Sequence, residues 1–227
     1  MADYDDMQYD HVYADAMEDA AAQAEAELIA EAMREASADN VRDYLCPHGD
    51  VVEDRVQTLL GRAQDLANHG FYGPATTVAV TASELIIRFL LLRPLVQGAF
   101  LDDIWAAILT DRVVRGRSAD ARGLLPRVLK GWDVELTEIR LSTGAMMWNR
   151  LLDVWKQRND FVHLGKPVEE EAAQLAVECA EALLGVARQI GLRFGCGPRA
   201  TGSWREVRSG SGFLSHTYSY EPKDPFE

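Results

Sequence analysis

Residues 158–163 read Arg-Asn-Asp-Phe-Val-His, and three of these side chains suit acid–base chemistry at a phosphate. A guanidinium presents planar N–H donors in a fork that matches phosphate oxygens. An imidazole takes up and releases a proton near neutral pH, and a carboxamide offers both a donor and an acceptor. The candidates are therefore Arg158, Asn159 and His163. Their placement is as informative as their types. One apolar stripe runs through Met147, Leu151 and Val154 to position 158 and Phe161, and a second runs through Trp148, Leu152 and Trp155 to position 159 and Val162. This three-and-four spacing marks the buried side of a helix. Where each stripe calls for another apolar residue, the chain carries Arg158 and Asn159 instead. A guanidinium in that phase is costly unless it is paired or faces a cleft or interface. Glu84 is the single acid in the apolar stretch 74–98, and it is a natural partner for Arg158 across the bundle. The competing account is a structural arginine paired to an acid, with a surface histidine at a helix end.

Arg158 and His163 are five positions apart, about 140° around an ideal helix, so they do not converge on one small substrate from one straight helix. Asn159 and His163, four apart, share a face. Either the helix unwinds before Gly165, or two copies of the segment meet at a two-fold axis and pool their groups.

Arg-Asn-x-x-x-His late in a helix of an all-α bundle, with an alanine-bearing central helix before it and a Gly-Lys-Pro break after it, resembles the motif of the HEPN superfamily. The resemblance covers about residues 51–194. It implies a HEPN-like helical bundle that acts as a homodimer through the 144–163 helix, with RNA as substrate and no metal or cofactor. By the same resemblance, His163 is the general acid or base, Arg158 stabilises charge on the phosphorane, Asn159 orients the histidine or holds a phosphate oxygen, and Glu84 supports. The products implied are a 2′,3′-cyclic phosphate and a 5′-hydroxyl. Relatives of this kind serve as toxins of toxin–antitoxin pairs, in phage defence and in RNA processing. Others are non-catalytic and use the same cleft to bind a nucleotide or a partner. The acidic extension and the short helices at 101–141 depart from the pattern and leave the subfamily open.

The elements that must position these residues are helical. Val52, Val56, Leu59, Leu60, Ala63 and Leu66 predict an amphipathic helix from residue 51, ending at His69-Gly70. Gly73-Pro74 opens a second, 74–98, apolar nearly all round and therefore central. Shorter helices are expected near 101–113, 119–131 and 133–141. The 144–163 helix is stopped by Leu164-Gly165-Lys166-Pro167. Glu169-Glu170-Glu171 opens the last helix with acids at its positive end, and it runs to about Phe194. No alternating period demands a sheet. The domains are thus an acidic extension at 1–50 with one Ala/Glu-rich helix near 14–38, a helical domain at 51–194, and a flexible Gly/Ser/Pro-rich tail at 195–227.

Composition excludes several classes. Hydrophobic residues make up 48% of the 227, enough to build a core rather than a disordered chain. Cys46, Cys179 and Cys196 are too few and too scattered for a disulfide framework, so a reducing cytoplasm is the default. Cys46-Pro47-His48 offers two ligand types with no matching pair, which falls short of a metal site. The apolar window 79–100 carries Glu84, Arg88, Arg93 and Pro94, costly at a bilayer centre, so it reads as a core helix of a soluble protein. The net charge of -13 is concentrated at one end: residues 1–54 hold 16 acidic and 2 basic side chains, while the remainder holds 20 and 21. The near-neutral body shows no broad basic footprint for nucleic acid. The acidic segment is read as a solvated extension, or as one that masks the cleft or docks an antitoxin or other basic partner.

Overall fold

A computed structural model describes residues 36–99, 119–198 and 204–206, together with residues 20, 24, 27–31 and 108. The described chain is predominantly helical, so the all-α expectation holds. The expectations for residues 1–13 and 101–113 lie outside the described residues, apart from position 108, and so does most of 14–38.

Helix α1, Ala38–Asn68, is continuous through Pro47. The boundary read at residues 50 and 51 therefore falls inside a helix and is corrected. A proline within a helix costs about 3 kcal/mol. Here Val41, Tyr44 and Leu45 ahead of Pro47, and Val52 and Val56 beyond it, are all buried in the same core. Their common burial, at about 1.5–3 kcal/mol for each large side chain, outweighs the lost hydrogen bond. Upstream, Ala30 and Ala36 are also buried against the core, so this part of the acidic extension docks on the bundle.

Helix α2, Tyr72–Leu85, leads into a π-helical segment, Ile86–Leu92, and then into α3, Arg93–Gly98. Apolar periodicity locates this helix but does not predict its widened turn. The π register ends directly before Pro94, with the Arg93 N–H donating to the Arg88 carbonyl, where a regular α turn would set the proline ring against the carbonyl of Leu90. The run Tyr72–Gly98 is long and apolar enough to cross a membrane by length and composition, but 67% of its most apolar window is buried in the bundle. It is the central element, flanked by α1 on one side and the last helix on the other.

Helix α4, Ala119–Lys130, forms as expected. The helix expected at 133–141 does not. That stretch holds a single 3₁₀ turn, Leu136–Glu138, and an isolated bridge from Arg140 to Met146. Val134 and Leu136 are buried while Glu135 between them is exposed, a period of two that a helix cannot satisfy. Helix α5, Met147–Leu164, and helix α6, Glu170–Arg193, match the sequence expectations closely. Trp148 and Trp155 are buried and pack edge to face with centroids 6.0 Å apart, as core residues rather than a stacking platform.

The tail read from residue 195 onward is corrected where it is described. Cys196–Pro198 (β1) and Trp204–Glu206 (β2) form an antiparallel ribbon with Cys196 opposite Glu206. Trp204 is fully buried, and a β-carbon at Gly49 of α1 or at Gly191 of α6 would overlap its indole. Two glycines on facing helices leave the slot that this ring fills. Its Nε1–H donates to Glu53 Oε2 at 2.6 Å, and Arg188 pairs with the other oxygen of the same carboxylate.

Candidate functional site

The site is carried by the last two turns of α5 and by the C-terminal turn of α2. Phe161 anchors α5 on α2, because Gly73 has no side chain and its backbone lies directly against the ring. This contact brings Arg158 over the far end of α2. The Arg158 Nη2 donates to Glu84 Oε1 at 3.1 Å, and Nη1 donates to Asn159 Oδ1 at 2.9 Å. The expected Arg158–Glu84 pair is thus formed, and it is neither deeply buried nor free. The side chains keep 25% and 29% of their exposure. Opposite charges at this depth attract more strongly than on an open surface and avoid full desolvation.

The Asn159 side chain is held by Arg158, and no side-chain hydrogen bond joins it to His163. Among the described residues the His163 imidazole has no hydrogen-bond partner. It is exposed in the last turn of α5, between Val162 and Leu164, which are 50% and 65% exposed. The helix end itself is firmly built. Gly165 adopts a left-handed conformation at φ 64° and donates to the Phe161 carbonyl at 3.0 Å, a common glycine-terminated helix end. Lys166 Nζ lies 2.9 Å from Asp160 Oδ2. The bond from the Lys166 ammonium holds the Asp160 carboxyl below the usual carboxylate range.

Of the two routes by which Arg158 and His163 might cooperate, the structure removes one. Helix α5 does not unwind before Gly165, so the two side chains leave it about 140° apart and about 7.5 Å apart along the axis. A groove of about 400 Å³ near the junction of α1 and α2 is lined by Arg62, Leu66, His69, Phe71 and Val78, and by none of Arg158, Asn159, His163 or Glu84. Among the described residues no three of His, Cys, Asp and Glu gather where they could hold a metal.

Two clusters escaped the sequence reading. One is the Glu53–Trp204–Arg188 arrangement that seats the ribbon. The other is a pair of thiols, Cys46 of α1 and Cys196 of β1, with sulfurs 2.8 Å apart. Neither has a local signal, since each of these contacts joins α1 to residues more than 130 positions away. The chain matches no protein-family model, no curated protein and no solved structure.

Proposed function

We propose that this chain is a HEPN-type endoribonuclease that needs no metal, works as a homodimer, and serves as a toxin or phage-defence effector. The observation that carries the reading is the half-exposed Arg158–Asn159 pair, braced by Glu84, on the same helix end as the exposed, unpartnered His163. His163 takes the proton from a ribose 2′-hydroxyl or delivers one to the leaving 5′-oxygen. Arg158 stabilises the charge that builds on the phosphorane. Glu84 holds the guanidinium in place, and Asn159 extends its donor surface toward a phosphate oxygen. The chemistry leaves a 2′,3′-cyclic phosphate, and DNA, without the 2′-hydroxyl, is not cut. The apolar residues beside His163, Val162 and Leu164, form part of the surface on which a second copy packs. In the cytoplasm, the acidic N-terminal segment would cover the cleft or dock an antitoxin or other basic partner.

The test is cleavage of RNA by the purified protein in EDTA, beside Arg158→Ala and His163→Ala. Wild type is expected to yield cyclic phosphate ends, with each variant reduced by at least about 100-fold, the usual scale for a lost acid–base group. Absence of cleavage, or equal cleavage by all three proteins, overturns the nuclease reading. One observation favours a second reading, a non-catalytic binding or regulatory protein that uses the same face for a nucleotide or partner: Glu84 already neutralises Arg158, which weakens its pull on a phosphate. Nucleotide binding without cleavage, lost in Arg158→Ala, would establish that alternative.

A further inference from the structure

The ribbon β1–β2 reaches the bundle through a set of contacts concentrated on one turn and a half of α1. The backbone N–H of Trp204 donates to Asp50, its indole N–H donates to Glu53, and its ring lies against Gly49. One turn before Gly49 stands Cys46, whose thiol meets that of Cys196 at the start of the ribbon. The third cysteine, Cys179, is buried in α6, and burial pushes its thiol up to about 12. A sulfur–sulfur separation of 2.8 Å exceeds a disulfide bond of about 2.05 Å by less than 1 Å. Closure needs only small side-chain adjustments.

We propose that Cys46 and Cys196 are a redox-active dithiol that a small-molecule disulfide, such as oxidised glutathione, converts into an intramolecular disulfide fastening the ribbon to α1. The two sulfurs differ in access in the way such an exchange requires. Cys46 is half-buried and Cys196 is buried, so the oxidant meets Cys46 first. The Cys46 thiolate attacks one sulfur of the small disulfide and expels the other as a thiolate, leaving a mixed disulfide on Cys46. Cys196 then gives up its proton and attacks Cys46 Sγ, expelling the second small thiolate. Two protein thiols are oxidised and one small disulfide is reduced to two thiols, with the released protons taken up by those thiolates. The hydrogen bond with Cys46 and burial both hold the Cys196 thiol protonated, so the first attack falls to Cys46. The link would join residues 150 positions apart, so it constrains nearly the whole described domain. This inference is independent of the ribonuclease reading.

The test uses the reduced full-length protein incubated with oxidised glutathione, then unfolded and alkylated with iodoacetamide. Expected are one alkylated cysteine, two unmodified ones, and a single disulfide-linked peptide pair containing Cys46 and Cys196. Dithiothreitol should restore three alkylated cysteines, and Cys179→Ser should leave the link intact. Cys196→Ser should instead trap glutathione on Cys46. The wild-type peptide map decides by itself if that variant does not fold. Three alkylated thiols, a link that includes Cys179, or a glutathione adduct that persists on wild-type Cys46 overturns the proposal.

Discussion

At the scale of single residues, the informative feature is a charge placed where a helix calls for an apolar side chain. Arg158 and Glu84 each interrupt an apolar run in the sequence, and in the fold a 3.1 Å contact joins them. What the pattern did not indicate is which neighbour Asn159 serves. It faces Arg158 rather than His163, since side chains on the same turn compete for one strong donor, and a guanidinium donates along several directions at once. The Arg158–Glu84 pair can be weighed directly. A hydrogen bond to a charged group contributes about 1.5–3 kcal/mol when buried, and exposure of a quarter or more brings this toward 1 kcal/mol. Glu84→Gln is therefore expected to lower stability by about 1 kcal/mol, read as the shift in a urea midpoint. A double-mutant cycle with Arg158→Ala should show a coupling of similar size. Additive effects within about 0.3 kcal/mol would mean that the pair contributes nothing to the fold. The same Glu84→Gln variant should lose less RNA cleavage than Arg158→Ala, because the carboxylate braces the guanidinium and does not meet the substrate.

At the scale of elements, strong periodicity in the sequence corresponds to helices in the fold, whereas isolated Pro and Gly residues within α1 do not correspond to breaks. Helices α5 and α6 were legible to within a few residues because an apolar stripe, a glycine stop and an acidic start all agree. Helix α1 begins at Ala38 rather than at the predicted residue 51, and it runs through Pro47 and Gly49, residues that ordinarily break a helix. Their reasons are tertiary: the residues on both sides share one core, and Gly49 makes room for Trp204. The ribbon was lost for the complementary reason. Three-residue strands have no measurable period, and a lone tryptophan in a polar stretch gives no hint that two glycines on distant helices are shaped to receive it. Glycine roles of this kind can be separated by experiment. A β-carbon at Gly73 would overlap the Phe161 ring, so Gly73→Ala is expected to cost roughly 1–3 kcal/mol by overpacking. Gly61 lies on α1 with nothing within 4 Å of such a carbon, and Gly61→Ala should stabilise by about 0.5–1 kcal/mol through helix propensity. Thermal unfolding of the two variants checks the contrast. Equal stability of Gly73→Ala and wild type would mean that Phe161 does not anchor α5, and the placement of Arg158 over Glu84 would need another cause.

At the scale of the whole molecule, a straight α5 turns a motif into a statement about assembly. One chain presents Arg158 beside Glu84 and His163 on a different side of the same helix, so the proposed chemistry requires a site built from two copies. A two-fold axis near the end of α5 would set Arg158 of one copy against His163 of the other and repeat the arrangement in reverse. This geometry makes an expectation that a single-chain site cannot meet. Arg158→Ala and His163→Ala are each inactive alone in either arrangement. In a mixed dimer with composite sites, one site receives both defects and the other receives Arg158 from the His163→Ala chain and His163 from the Arg158→Ala chain. After random exchange of equal amounts, half of the dimers are mixed and each has one intact site. Mixing the two inactive proteins should therefore restore about a quarter of the wild-type cleavage, given the isologous two-fold contact. The recovered activity should fall on dilution below the dimer dissociation constant. A mixture that stays inactive, although mass analysis shows that mixed dimers have formed, would place Arg158 and His163 in separate roles and leave the binding reading as the better account of the site.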